Sequence, residues 1–229
     1  MSDQEKKSAQ DDEQNEVKSQ VENKKESKIN SDPFSEVEHS VRNLNWEDYS
    51  STLSSLNKAI HFYEQKKDEC NVSYYYALKG RFFYREGKND SALFSYIQSS
   101  KRLNENCSNS HNYYLYNSWS FLYLSNEEYA LADSVSQIAL KEAVLSKNSE
   151  LELNVLNNRA LILSNQKEYG EAIRIMNDIR IKAIELNDHK RLVYSLQNLG
   201  NFYLLKEDYD SALVYLNEMG MLIGDSTPA

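Results

Sequence analysis

Four histidines, two cysteines and a few paired carboxylates are the side chains in this 229-residue chain suited to catalysis or metal binding. His39, His61, His111 and His189 lie far apart. No two of them share the i, i+4 spacing that sets a pair of imidazoles around zinc on one helix face. No Walker loop, no G-x-G-x-x-G and no H-E-x-x-H occurs. The acidic pairs Glu127-Glu128 and Glu207-Asp208 sit in polar turns just ahead of helical runs, where carboxylates favour the positive end of the helix dipole. That role accounts for them without acid–base chemistry. Cys70 and Cys107 are too few for a disulfide framework. Both are expected near the ends of second helices of successive hairpins, as two free thiols, with a bridge as the alternative. The expectation is a non-catalytic protein with no metal and no cofactor.

A different chemistry, recognition, is carried by residues recurring every forty positions. Asn117, Asn157 and Gln197 share one register, and Ala77 precedes them in it. Ser118, Asn158 and Asn198 share the next, after Leu78. Tyr74, Tyr114, Asn154 and Tyr194 form a third, and Arg81, Phe121, Leu161 and Asn201 a fourth. Carboxamides both donate and accept, so a row of them can pair with a peptide backbone whatever its sequence. Tyrosines beside them add apolar area and a hydroxyl.

Such a row needs helices stacked in constant register, and the apolar pattern supplies them. Leu196, Leu199, Gly200 and Tyr203 fall at i, i+3, i+4, i+7, one face of a helix. Lys206-Glu207-Asp208 breaks the run, and Tyr209, Ala212, Leu213 and Leu216 resume it. A glycine on one helix and an alanine on the next let the two approach closely, so Gly200 and Ala212 mark their crossing, with Tyr203 and Tyr209 filling the space around it. The small residues repeat. Ala92, Ala132, Ala172 and Ala212 are forty apart, as are Gly80, Ser120, Ala160 and Gly200. An imperfect earlier unit runs from Pro33 through Trp46 and Tyr49 to Tyr63, with Thr52 in place of the alanine.

The stretch from Leu196 to Leu216, with L-G-x-x-Y followed by A-x-x-x-L, resembles the tetratricopeptide (TPR) repeat. Leu216 stands where that family often has an aromatic. Forty residues exceed the usual period of about 34, and units of this length resemble those in bacterial peptide-sensing regulators and sensor kinases. The resemblance implies an all-α, right-handed superhelical solenoid of about five antiparallel helix hairpins. It also implies that the first helix of each hairpin lines a concave groove. With units counted from residues 73, 113, 153 and 193, the groove residues are Tyr74, Arg81, Tyr114, Asn117, Phe121, Asn154, Asn157, Asn158, Tyr194, Gln197, Asn198 and Asn201. The carboxylate clamp of heat-shock co-chaperones needs several groove lysines and arginines, and Arg81 is insufficient for it.

Composition narrows the partner. A net charge of −9 without a basic cluster argues against nucleic acid. No run of 18 apolar residues exists to span a membrane. Residues 1–32 read as a disordered polar leader, 33–224 as the repeat domain and 225–229 as a flexible tail. Met219, Met221, Leu222 and Ile223 stay apolar at the last hairpin, and the expectation is either that this end packs on a partner or a sister chain or that the chain is part of a longer protein. The expected function is a protein- or peptide-binding scaffold. The alternative is a ligand-sensing regulatory domain whose output lies elsewhere. A cytoplasmic location is expected, or an exported one if a leader before Met1 has been removed.

Overall fold

The computed structural model describes residues 48–224. The polar leader, the first half of the unit beginning at Pro33 and the 225–229 tail lie outside them. Among the described residues all regular structure is helical: α1 (Tyr49–Gln65), α2 (Glu69–Arg85), α3 (Asn89–Ser100), α4 (Asn109–Ser125), α5 (Tyr129–Leu145), α6 (Ser149–Asn165), α7 (Tyr169–Glu185), α8 (His189–Leu205) and α9 (Tyr209–Gly224). Each helix begins twenty residues after the one before it. The forty-residue repeat is therefore two equal steps. The hairpins start four residues earlier than the apolar pattern implied.

Caps set that cadence. Asp68, Ser108, Asn148 and Asp188 stand forty apart, and each accepts a hydrogen bond from a backbone amide in the first turn of α2, α4, α6 or α8. A short polar side chain there satisfies an amide that has no partner within the helix. The exits are equally regular. Lys67, Gly87, Glu127, Lys147, Lys167, Asn187 and Glu207 all have positive φ. Around them the carbonyls of the last turn are recovered in the Schellman pattern, as when Gly87 and Lys88 donate to Tyr84 and Phe83.

The chain divides into two compact units, Met1–Lys66 and Lys67–Ala229. In the first, α1 is capped by Asp48 and carries Leu56, Ala59, Ile60 and Tyr63 on its buried face. The second is a stack of four hairpins, α2–α3, α4–α5, α6–α7 and α8–α9. The repeating small residues all point inward. Ala92, Ala132 and Ala172 are wholly buried and Ala212 nearly so, while Ser120 and Ala160 have no exposed surface. The crossing differs from the expected glycine–alanine contact. Gly80 faces the Tyr96 ring and Gly200 faces Leu216, one turn beyond the alanine in each case. Tyr203 stacks on Tyr215 with centroids 5.5 Å apart, but Tyr209 is exposed rather than packed at the crossing.

One hairpin breaks the rhythm. α3 has 12 residues where most other helices have 17, and an irregular segment leads from Lys101 to α4. Within that segment Cys107 is bonded to Cys70 in the first turn of α2, with Cα atoms 5.1 Å apart. The expectation of two free thiols is thus corrected. So is their position, since Cys70 opens a first helix and Cys107 immediately precedes the next one. The short α3 brings the loop back over the start of α2, within the 4.4–6.8 Å that a disulfide typically spans.

Candidate functional site

The first helices α2, α4, α6 and α8 line a groove of about 1040 Å³. Nine of the twelve anticipated residues meet there: Arg81, Tyr114, Asn117, Phe121, Asn154, Asn157, Tyr194, Gln197 and Asn198. The forty-residue register brings them together, because equal steps place equivalent side chains on the same face of successive helices.

Three residues go elsewhere. Asn158 is wholly buried, and its Nδ2 donates to Ser120 Oγ at 2.5 Å. It ties α6 to α4 from inside the stack and cannot reach a ligand from there. Tyr74 is stacked on His111 with ring centroids 4.4 Å apart and meets Tyr114 edge-on. Asn201 is exposed but lies outside the groove lining.

The carboxamides differ in how occupied they are. Asn154 Oδ1 accepts from Arg191 Nη1 at 3.0 Å, and Arg191 is also held by Asp188 Oδ2 at 3.0 Å. Asn198 Nδ2 reaches Asn157 Oδ1 at 3.5 Å, a loose contact that joins α8 to α6. The Asn117 Oδ1 has no hydrogen-bond partner. Buried acceptors of this kind are rare in folded proteins, so Asn117 offers an unused acceptor at the groove wall.

Sequence reasoning missed several lining residues. Tyr84, Arg85, Tyr96 and Tyr113 sit beside Arg81 and Asn117, while Glu150, Asp188, Lys190 and Arg191 face them from α6 and α8. Arg85 follows Arg81 by one turn of α2, and that i, i+4 spacing was the signal available for it. The Arg85 guanidinium is held below its ordinary pKa by burial and by the neighbouring Arg81 charge, with Glu86 opposing. Burial pushes the Tyr113 phenol up to about 12. Tyr113 therefore stays a neutral donor at physiological pH. The groove offers hydrogen-bond donors and acceptors, aromatic faces and positive charge at its α2 end. Among the described residues no group of three or more His, Cys, Asp or Glu side chains is placed to hold a metal ion. No described helix is long and apolar enough to cross a membrane.

No family model matches the chain. No curated protein matches it either. Among solved structures it is similar to one from Podospora anserina, described as kinesin light chain nearly identical TPR-like repeats. The TM-score is 0.67 and the identity 13%, over 87% of this chain and 100% of the other. At that identity the likeness speaks for the fold. Helices of constant step, small residues at every crossing and this likeness establish the chain as a TPR-like helical repeat array.

Proposed function

We propose that the chain is a non-catalytic binding module that holds an extended segment of a partner protein in the groove of α2, α4, α6 and α8. The observation that carries this reading is the gathering of Asn117, Asn157, Gln197 and Asn198 along one groove flanked by Tyr114 and Tyr194. Side chains that both donate and accept suit a main chain whose sequence varies. A groove of about 1040 Å³ exceeds what a single small ligand needs.

The test is selection from a displayed library of unstructured peptides, followed by calorimetry of the recovered sequences. Each carboxamide–backbone hydrogen bond contributes about 1 kcal/mol, or roughly fivefold in affinity. The triple variant Asn117→Ala, Asn157→Ala, Asn198→Ala should therefore bind about a hundredfold more weakly. Ser134→Ala, on the exposed face of α5, should bind as the parent does. Equal affinity of the triple variant and the parent would remove the groove from the reading.

A further inference from the structure

The disulfide sits at the one joint of the second unit where the contact runs mainly between first helices. α5 packs broadly on α6, and α7 on α8, whereas the shortened α3 packs much less on α4. At that joint α2 and α4 touch each other directly, more than α4 touches α6. Their contact is aromatic, with Tyr74 lying on His111 and against Tyr114. Beside the bond, segment 101–108 meets α2 through an ion pair and a cation–ring contact. Arg102 meets Glu69 at 3.8 Å and lies 4.7 Å over the Tyr76 ring. Glu69 is largely exposed, so that ion pair is screened by water. Leu103 adds a partly buried contact.

We propose that the Cys70–Cys107 bond is a redox latch on the first rung of the groove. Oxidised, it pins the segment leading into α4 to the first turn of α2, and so fixes the spacing of the two helices that carry Arg81 and Asn117. Reduced, it releases segment 101–108 and loosens that rung while α6 to α9 stay packed. Closing the latch removes two electrons and two protons from the thiols, taken up by a disulfide that is itself reduced to two thiols. Opening it needs a dithiol. Its thiolate attacks the sulfur of Cys70, the less buried of the two residues, Cys107 leaves as a thiolate and is protonated, and the second thiol closes the reductant's own disulfide and frees Cys70. A bond of this kind persists in oxidising compartments and is uncommon in reducing cytosol. The latched form is the one that an oxidising compartment would hold, in keeping with the exported location that the sequence left as the alternative to a cytoplasmic one.

The experiment uses the full chain produced under oxidising conditions. Alkylation with N-ethylmaleimide should label no thiol before dithiothreitol and two after it. Hydrogen exchange followed by mass spectrometry should then accelerate about tenfold or more in 69–78 and 101–112 on reduction, and stay unchanged in 189–205. The double variant Cys70→Ser, Cys107→Ser should give the reduced pattern without reductant. Two labelled thiols before reduction would overturn the proposal. So would unchanged exchange in both segments, or loss of helicity throughout the chain on reduction. These readouts need no peptide, so they stand or fall apart from the groove's function.

Discussion

Gly80 shows how tightly single positions are specified. A Cβ added there would run into the ring of Tyr96, which is wholly buried and stacked on Trp119 at 6.1 Å. At Gly200 the added atom would meet the Leu216 side chain 2.6 Å away, but Leu216 is only partly buried and can turn aside. Replacing a helical glycine by alanine otherwise stabilises by about 1 kcal/mol, while overpacking a core costs about 1–3 kcal/mol. Gly80→Ala should therefore destabilise by up to about 2 kcal/mol and Gly200→Ala by less than about 0.5 kcal/mol in urea titrations. Equal effects would mean that Tyr96 is free to move. His111 supplies a pH dependence. Burial against Tyr74 holds its imidazole below the ordinary value of 6.5, with Asp68 pulling the other way. The unfolded chain then binds a proton that the folded chain resists, so stability is lost as pH falls from 6.5 towards the folded value. His111→Gln should flatten the dependence of the urea midpoint between about pH 7 and pH 5. An unchanged slope would assign it to other groups.

At the scale of the element, the turns are where the sequence departs from what the backbone prefers. Among the described residues seven turns put a residue in the left-handed region, and six of those residues are not glycine. A side chain there costs about 1–2 kcal/mol, while glycine gives back about 0.5–1 kcal/mol through the freedom of the unfolded chain. Lys147→Gly and Lys167→Gly should each stabilise by about 0.5–1 kcal/mol, and Gly87→Ala should cost about 1 kcal/mol, read from thermal or urea midpoints. Opposite signs would show that these side chains make contacts that offset the strain. The elements themselves were legible because a buried alanine and a small partner every forty residues leave few alternatives to stacked hairpins. The helix starts were misplaced because the first turns of α2, α4 and α8 are largely polar, and the apolar period begins only after them. The polar caps at Asp68, Ser108, Asn148 and Asp188 carried the missing information at the same interval. Asn158 was misjudged because its register sits at the border of groove and interior: Ser118 and Asn198 line the groove from it, while Asn158 turns inward to Ser120. The disulfide was illegible, since 37 residues of separation say nothing about distance until the shortness of α3 is known.

For the stack from α2 to α9, the two ends are secured differently. In a linear array each hairpin is stabilised by its neighbours. At the α2–α3 hairpin the disulfide adds a covalent tie. Closing a loop of 37 residues stabilises by about 4 kcal/mol in the chain-entropy account. At the other end nothing equivalent is present among the described residues. Met176, Ile179 and Ala183 of α7 are buried, but their counterparts on α9 are not: Leu216 and Met219 are partly exposed and Ile223 is 47% exposed. Local opening follows such differences in burial. Within this stack, amide exchange should be fastest in α9 and slowest in α4 to α7, with α2 and α3 protected while the disulfide is intact. In the Cys70→Ser, Cys107→Ser variant, α2 and α3 should rise towards the rate of α9 while α4 beyond its first turn and α5 to α7 keep theirs. Uniform protection across the four hairpins would show that they open as one cooperative body, and that neither the covalent bond nor the exposure of α9 governs where the array comes apart.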